Sequence, residues 1–368
     1  MKKFRIVTIL LPLFALTACE TTELSGEVDF HTEAQISFWN DTDFESSLLK
    51  YGSGEESQEK PEPLKIAWNS KKGKKYLIKV SEKSDMSAAW EFEFSSRKRE
   101  YDLYNCKTGT EYFYNITTYY SNETITSEVR SFTTKSGGPR NLYVEGLNNI
   151  RDIGGYVTNS NKVVKQGLMY RCAKMNESDV ASPQIIISEN GINTMIKQLG
   201  IKTDIDLRKT EVKDGVSEIG GLTSSPLGET VNYVNCPMYY EGSSVISHSS
   251  KVKREANQAS IKKMFDLMSD INNYPVVFHC TQGKDRTGAL AYLMETLLGA
   301  NKDDIYHDYL FTNMSKVGGY CNYSQFEKYE DVLRTYGGDT LQEQSYNYLL
   351  KIGVSEDNIN SFINIMTN

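Results

Sequence analysis

A cysteine and an arginine stand six positions apart in the segment HCTQGKDRTG at residues 279–288. The segment directly follows the apolar run PVVF, which is typical of a buried strand. A glycine-rich turn between a strand and a helix surrounds one anion with backbone N–H groups and the positive end of the helix. We therefore expect a loop that binds a tetrahedral oxyanion such as phosphate.

The residue types in this loop indicate how such an anion would be attacked. The field of the loop would lower the pKa of Cys280 and make its thiolate the nucleophile. Arg286 would hold two phosphate oxygens through its planar guanidinium. His279 is expected to brace the loop. The residues expected to bind phosphate are Thr281, Gln282, Gly283, Lys284, Thr287 and Gly288.

Three segments resemble one enzyme family. HCTQGKDRTG is similar to the signature His-Cys-x5-Arg-[Ser/Thr]-Gly of the cysteine-dependent tyrosine phosphatases. NNIRDIGG with GLMYRC (residues 148–172) and GIKTDIDLRKTEV (200–212) are similar to segments of the atypical bacterial tyrosine/lipid phosphatases. The resemblance implies a catalytic domain over residues 141–368 and a cysteinyl-phosphate intermediate. Cys172 departs from the family, in which serine is usual at that position, and would add a thiol near the pocket.

The reaction also needs a proton donor for the leaving oxygen. Larger tyrosine phosphatases take it from an aspartate on a separate loop before the cysteine, but no Asp lies between Asp214 and Asp266. Asp285, inside the loop, is the favoured general acid, as the resemblance to the atypical family also implies. Asp206 is the alternative, and a bracing role for it is at least as plausible.

Other charged residues of the resembling segments are expected around the pocket. Arg151, Asp152 and Arg208 are interpreted as wall residues, with structural bracing favoured over catalysis. Lys284 would suit a multiply phosphorylated head group as well as phosphotyrosine. The sequence contains no ligand cluster typical of a metal site, and neither a metal nor another cofactor is predicted.

The pattern beyond residue 141 is α/β. The segments IKTDIDLR, VNYVNCPM and 275–279 are predicted strands, and NQASIKKMFDLMSD, 287–298 and the C-terminal segment are predicted helices. Gly299 can end the second of these helices. We expect a central, mostly parallel sheet flanked by helices.

Residues 63–135 have a different pattern, with short alternating segments separated by turn residues. This pattern predicts an all-β antiparallel sandwich. Within it, CKTGTEYFYNI resembles the E–F corner of fibronectin type III domains. The resemblance implies that Tyr112 is the corner tyrosine and that Cys106 fills a core position.

The N-terminus has the features of an export signal. Lys2, Lys3 and Arg5 precede a short apolar stretch that ends in LTAC, which predicts a signal peptide over residues 1–18. The cysteine makes this site resemble a bacterial lipobox, which implies lipidation of Cys19 and membrane anchoring on the exported side. Residues 19–62 are predicted to be a flexible linker in which AQISFW is a short strand.

Net charge and cysteine spacing argue against two further classes of protein, nucleic-acid binders and disulfide-bonded scaffolds. The formal charge of −7 argues against a general nucleic-acid binder. Of the six cysteines, five remain after Cys19, and their spacing indicates no disulfide framework.

The leading hypothesis is an exported phosphomonoester hydrolase that acts on phosphotyrosine-type substrates. A phosphoinositide or inositol-polyphosphate phosphatase is the alternative within enzymes, kept open by Lys284. An adhesion or carbohydrate-binding lipoprotein is the alternative outside catalysis. A rhodanese-like sulfur transferase fits less well, because Asp285 and the Arg-Thr-Gly sequence after it suit phosphate chemistry. The expected partners are a phosphorylated protein or inositol phosphate and, through Cys19, a membrane.

Overall fold

A computed structural model describes residues 20–22, 24–44, 57–69, 73–138, 140–177, 184–213, 216–240, 245–317 and 321–367. The predicted signal peptide and the predicted lipidation site at Cys19 lie outside these ranges. The chain divides into two compact units. The first comprises Met1–Gly26, Lys65–Asp102 and Tyr112–Phe132, and the second comprises Glu27–Leu64, Leu103–Glu111 and Thr133–Asn368.

The strands of the described residues are β1 Glu20–Thr22, β2 Glu27–Val28, β3 Leu64–Asn69, β4 Lys75–Ser81, β5 Trp90–Ser95, β6 Glu100–Leu103, β7 Glu111–Tyr119, β8 Thr124–Thr126, β9 Arg130–Thr134, β10 Arg151–Asp152, β11 Met169–Cys172, β12 Asn176–Glu177, β13 Gln184–Ile185, β14 Thr203–Asp206, β15 Val212–Lys213, β16 Val216–Ser217, β17 Asn232–Asn235 and β18 Val276–His279. The α-helices are α1 Glu33–Asn40, α2 Glu189–Asn193, α3 Lys251–Met268, α4 Asp285–Leu298, α5 Lys302–Leu310, α6 Ser324–Arg334, α7 Leu341–Lys351 and α8 Glu356–Thr367. A π-helix covers Thr194–Gln198, and 3-10 helices cover Ile271–Asn273 and Phe311–Met314.

The first unit is built from antiparallel strands. β4 pairs with β5 on one side and with β7 on the other, and β1, β3 and β6 form a separate sheet. Tyr112 is buried, with its ring 5.7 Å from that of Trp90 and 5.6 Å from that of Phe132. The strands predicted here are present, whereas the fibronectin type III-like sandwich stays a prediction.

The second unit contains the predicted mostly parallel sheet, with strand order β10-β11-β18-β14-β17. β18 lies at its centre and is parallel to both β11 and β14, and β17 continues the parallel set. Only β10, at one edge, is antiparallel to its neighbour. All four residues of β18 are buried, as expected for the central strand of a sheet covered on both faces.

Helix α4 is the central helix of this unit. Each of its residues from Arg286 to Leu298 is buried. The helix ends at Gly299, whose φ of 78° lies in the left-handed region, as predicted. A buried strand therefore leads through one short loop into a buried helix, and both are fixed by packing on each side.

The segment predicted as a flexible linker contains a helix instead of the predicted strand. AQISFW lies within α1, which begins with a capping box formed by Thr32 and Gln35. Gln35 is fully buried and donates hydrogen bonds to the carbonyls of Gln58 (2.9 Å) and Lys60 (3.0 Å). The linker prediction is therefore wrong for residues 27–44 and 57–62, because these residues belong to the second unit and bury Phe30, Gln35 and Phe38 there.

The second unit also contains residues 103–111, which the sequence had assigned to the β domain. Asn105 donates a hydrogen bond to the carbonyl of Tyr143 and another to the side chain of Gln198, each at 3.0 Å. No helix in the described ranges is both long enough and apolar enough to cross a bilayer. These ranges also contain no group of three or more side chains that could bind a metal.

Candidate active site

Cys280 lies directly after β18, and α4 begins five residues later at Asp285. We call residues 280–286 the cysteine loop. Its tight path requires glycine at position 283, where φ is 66° and an added Cβ would lie 2.5 Å from the carbonyl oxygen of Cys172. The predicted strand–loop–helix arrangement is present, although α4 begins two residues earlier than predicted.

Three successive carbonyls of the cysteine loop accept hydrogen bonds from neighbouring elements. The donors are the Lys174 N–H to Thr281 (3.1 Å), the Asn149 side-chain amide to Gln282 (3.0 Å) and the Arg171 guanidinium to Gly283 (2.8 Å). The C=O and N–H of a trans peptide point in opposite directions. Because the carbonyls are bonded on the outside of the loop, the N–H groups that follow them are directed away from these donors and can face an anion.

The Cys280 thiol is 3% exposed and is surrounded by groups that favour its ionised form. Burial alone would raise its pKa, but the charge of Arg286 and the hydroxyl and N–H of Thr287 outweigh burial, and the pKa of Cys280 is lowered. The buried Thr287 hydroxyl has no other hydrogen-bond partner within the described residues. This arrangement fits the predicted nucleophile, and it places the Thr287 hydroxyl at the Cys280 thiol.

Arg286 is 6% exposed and is held at both ends of its guanidinium. One terminal nitrogen, Nη1, forms an ion pair with Glu218 Oε2 at 2.8 Å, and Nη2 donates to the hydroxyl of Thr281 at 3.2 Å. Burial would lower the pKa of Arg286, but the negative charges of Cys280 and Glu218 raise it. Glu218 is not among the residues predicted from the sequence, and no local sequence signal marks it.

Asp285 is the first residue of α4 and is half-buried. Burial raises its pKa, and the opposing charges of Lys284 and Arg286 do not cancel this effect. A carboxyl group with a raised pKa keeps its proton to higher pH, which a general acid needs. The structure therefore places a carboxyl with a raised pKa next to Arg286.

Asp206, the alternative acid, has a different environment. Both of its oxygens accept hydrogen bonds from Arg208, and Tyr233 donates a further bond at 3.1 Å. Burial would raise the pKa of Asp206, but the charge of His279 and the bonds from Arg208 lower it. An ionised carboxylate with this many partners has no proton to donate, so the geometry favours bracing for both Asp206 and Arg208.

His279 connects this pair to the cysteine loop. Its Nε2 lies 3.1 Å from Asp204 Oδ1 and 4.0 Å from Asp206 Oδ2. Burial lowers the pKa of His279, but the two carboxylates outweigh burial and raise it. The His279 imidazole thus lies near two carboxylates at the end of β18, immediately before Cys280, which is in line with the predicted bracing role.

Arg151 and Asp152 are fully buried and therefore do not line an open pocket as wall residues. Arg151 Nε forms an ion pair with Asp308 at 2.7 Å, and Asp308 also pairs with Arg171. Asp152 accepts hydrogen bonds from the N–H groups of two glycines and pairs with Arg140 at 3.2 Å. Arg151 is thus connected to the cysteine loop through Asp308 and Arg171, which donates to the Gly283 carbonyl.

The extra thiol at Cys172 is fully buried, and burial raises its pKa well above the ordinary value. It therefore stays protonated and is a poor nucleophile. Among the described residues, Cys172, Cys236, Cys280 and Cys321 are free thiols. Burial also raises the pKa of Cys236 and Cys321, whereas the pKa of Cys280 is lowered.

Two solved structures resemble part of the chain. The core catalytic domain of the PP-IP phosphatase SIW14 from S. cerevisiae, in complex with citrate, has a TM-score of 0.31 and 16% sequence identity and covers 56% of this chain and 98% of that chain. A second structure of the Siw14 catalytic core has the same TM-score and 14% identity and covers 56% of this chain and 96% of that chain.

Curated relatives match over shorter stretches. A protein of Cupriavidus necator whose name places it among the tyrosine-protein phosphatases is 25% identical over 195 residues, which is 48% of this chain and 64% of the relative. A tyrosine-protein phosphatase of Nostoc commune is 42% identical over 53 residues, which is 14% of this chain and 18% of the relative. The chain thus spans less than two thirds of the length of these relatives.

The family comparison covers most of the second unit. Residues 142–366, more than half of the chain, match the family described as the tyrosine phosphatase family. This match includes the whole cysteine loop and the residues that donate to its carbonyls, Asn149, Arg171 and Lys174. The predicted class, a cysteine-dependent phosphatase, is confirmed at the level of the family, and the chain belongs to the tyrosine phosphatase family.

Proposed function

We propose that this protein hydrolyses phosphomonoesters of the phosphotyrosine type through a cysteinyl-phosphate on Cys280. One observation carries the proposal. The buried Cys280 thiol has a lowered pKa because it shares its loop with Arg286, and the loop carbonyls are bonded on the opposite side. A thiolate, a guanidinium and inward-facing amides are what an in-line phosphoryl transfer to sulfur requires.

In the first step, the Cys280 thiolate attacks phosphorus, so that an S–P bond forms as the P–O bond to the leaving group breaks. Arg286 and the loop N–H groups stabilise the negative charge on the equatorial oxygens. Asp285 transfers its proton to the departing oxygen. Its raised pKa keeps the Asp285 carboxyl protonated to higher pH, and the lowered pKa of Cys280 extends the thiolate to lower pH.

In the second step, water attacks phosphorus, the S–P bond breaks and inorganic phosphate leaves. Asp285, now ionised, accepts a proton from the attacking water and returns to its initial state. The Thr287 hydroxyl assists by donating to the sulfur as it becomes a thiolate again. Over both steps, one water is consumed and one alcohol and one phosphate are formed.

Hydrolysis of p-nitrophenyl phosphate by the full chain in the presence of EDTA tests this proposal. The wild type should turn over, and Cys280→Ser should lose about 10³-fold or more in kcat, since removing a nucleophile removes the covalent route. Rapid quenching followed by mass spectrometry should find a phosphoryl group on Cys280. Equal rates for wild type and Cys280→Ser would refute the proposal.

A phosphoinositide or inositol-polyphosphate phosphatase is a second candidate, favoured by Lys284. Its charge acts on both Asp285 and Cys321, so it adds positive potential beside Arg286. Turnover of a phosphotyrosine peptide and of inositol phosphates by wild type and Lys284→Met separates the two candidates. A loss confined to inositol phosphates would favour this one.

We further propose that the protein is exported and held to a membrane by lipid on Cys19, with residues 63–135 forming a fibronectin type III-like module. The proposal is supported by the sequence around Cys19 and by the antiparallel strands of the first unit. Metabolic labelling with a radioactive fatty acid in bacterial cells tests the anchor. Wild type should incorporate the label and fractionate with membranes, and Cys19→Ala should do neither.

A further inference from the structure

Part of the chain that precedes the family match contacts residues that bond to the cysteine loop. We call residues 27–44 and 57–64 the N-terminal strap. Both ranges belong to the second unit, and both lie outside the matched residues 142–366. The strap contributes one buried acidic side chain, Glu59, which is 9% exposed.

The Glu59 carboxylate is bonded at both oxygens. Its Oε2 accepts from the backbone N–H of Asn149 at 2.5 Å, and its Oε1 accepts from the Ser57 hydroxyl at 3.1 Å. The Glu59 carbonyl also accepts from the Asn141 side chain at 2.9 Å. Asn149 has a φ of 57°, a left-handed conformation that is uncommon for a residue with a side chain. Glu59 therefore bonds to the backbone N–H of a residue in the left-handed conformation.

Asn149 in turn contacts the cysteine loop. Its side-chain amide donates to the Gln282 carbonyl at 3.0 Å, and its Oδ1 accepts from Arg151 at 2.6 Å. The orientation of this side chain depends on the backbone conformation at the same residue. A chain of two hydrogen bonds thus runs from Glu59 through Asn149 to the loop that would surround the phosphate.

Helix α1 of the strap packs near Asp308, which pairs with a second residue that donates to a loop carbonyl, Arg171. Trp39 of α1 stacks on Phe311 at 5.8 Å between ring centroids, and Phe38 meets the same ring edge-on at 5.8 Å. Phe311 lies three residues after Asp308, which pairs with the arginine that donates to the Gly283 carbonyl. The strap therefore contacts the elements that hold two of the loop carbonyls.

We propose that Glu59 is a positioning residue for phosphoryl transfer, acting through Asn149 to hold the Gln282 peptide so that the loop amides face the phosphate. The inference rests on the proposed function. Glu59 touches neither substrate nor nucleophile in this scheme. Its role is to fix the loop that lowers the pKa of Cys280 and binds the oxyanion.

The test compares the full-length wild type with Glu59→Leu, which removes the acceptor for the Asn149 N–H. Two readouts report on the loop directly, namely the pH profile of Cys280 alkylation by iodoacetamide and the affinity for orthovanadate as a phosphate-shaped probe. We expect the alkylation profile to move to higher pH and vanadate affinity to fall about tenfold, as for loss of one hydrogen bond to a buried group. A purely structural role would lower the unfolding temperature but leave both readouts unchanged in the folded protein.

Two further variants complete the test. Glu62→Leu is the matched control, because Glu62 belongs to the same strap but is exposed, and it should behave as wild type in both readouts. Glu59→Asp keeps the carboxyl group but shortens the side chain, and it should move both readouts in the same direction by less, which provides a measurement if Glu59→Leu does not fold. Wild-type values for Glu59→Asp, or for a folded Glu59→Leu, would overturn the inference. Neither readout requires turnover, so this outcome is distinct from a wild type that fails to hydrolyse phosphomonoesters.

Discussion

Arg286 and Glu218 form an ion pair at 2.8 Å beside the Cys280 thiol. The guanidinium is almost fully buried, whereas the Glu218 side chain remains 34% exposed. The same Glu218 oxygen also accepts a hydrogen bond from the Lys209 N–H at 2.8 Å. A carboxylate therefore orients the arginine, but it also places a negative charge near the position of a bound phosphate. These two effects act in opposite directions on phosphate binding.

We predict that Glu218→Gln binds phosphate more tightly. Glutamine keeps an oxygen for the Lys209 N–H and loses the charge that repels a phosphate dianion. Two charges 4 Å apart in water interact by about 1 kcal/mol, which corresponds to about fivefold in affinity. The inhibition constant of inorganic phosphate against p-nitrophenyl phosphate should therefore fall about fivefold. Glu229→Gln, at an exposed position, provides the control and should leave this constant unchanged. Weaker phosphate inhibition of Glu218→Gln would instead mean that orienting Arg286 is the larger effect.

Asp285→Asn should lower kcat and remove the alkaline limb of the pH–rate profile. The raised pKa of Asp285 means that the acid is lost as pH rises through that pKa, so wild-type activity should fall on the alkaline side. A general acid contributes about 10²–10⁴-fold, and the loss should be largest for substrates with poor leaving groups. Initial rates for phenyl phosphate and p-nitrophenyl phosphate across the pH range measure both effects.

Asp206→Asn separates the two candidate acids. Asp206 braces Arg208 within a buried pair, so its loss should lower stability by about 3–5 kcal/mol without abolishing the alkaline limb in the protein that remains folded. An alkaline limb that disappears in Asp206→Asn but persists in Asp285→Asn would reverse the assignment.

The cysteine loop could be predicted from sequence because its main chemical groups lie in one continuous segment. Cys280, Asp285 and Arg286 are brought together by the local strand–loop–helix path, which glycine positions and apolar runs already indicate. Glu218 lies 68 residues before Arg286, and Glu59 lies 90 residues before Asn149. Such pairs depend on how distant elements pack, and no spacing rule within a segment reports them.

The wrong prediction of a strand at AQISFW has a local cause. AQISFW is six residues long, and a short apolar segment fits a strand or one side of a helix equally well. Thr32 and Gln35, at the spacing of a capping box, were the available signal for a helix. Burial of Gln35 could not be predicted from its polarity, because it depends on the carbonyls of residues 58 and 60.

Gly283→Ala should impair catalysis more than stability. An added Cβ would lie 2.5 Å from the Cys172 carbonyl oxygen, so the loop backbone has to move. A displacement of about 1 Å can cost about 10²-fold in rate, and we expect kcat/KM for p-nitrophenyl phosphate to fall by this order.

Gly200→Ala is the matched control for this prediction. Gly200 has a φ of 70°, and its nearest neighbour to an added Cβ lies 3.9 Å away. Both variants carry the left-handed backbone cost of about 1–2 kcal/mol, but only Gly283→Ala adds the clash. Equal kcat/KM in the two variants would show that the loop tolerates the extra atom.

Glu295→Gln should make the protein less sensitive to alkaline pH. Glu295 is buried in α4 behind the cysteine loop, where burial and the charge of Asp308 raise its pKa well above the ordinary value. The folded protein thus keeps a proton that the unfolded chain releases above about pH 4.3. By linkage, stability falls as pH rises from there through the folded-state pKa, by up to about 1.4 kcal/mol per pH unit. Glutamine cannot titrate, and its oxygen can still accept the bond from the Tyr156 hydroxyl, which is 2.9 Å in the wild type.

Urea unfolding followed by far-ultraviolet circular dichroism between pH 5 and pH 8 measures the difference in stability between Glu295→Gln and wild type. Glu295→Gln should gain stability relative to wild type toward pH 8, whereas Glu327→Gln, at an exposed position of α6, should follow the wild type. Parallel pH dependence of Glu295→Gln and wild type would mean that Glu295 is ionised in the folded protein and is neutralised by Arg171 and Arg151.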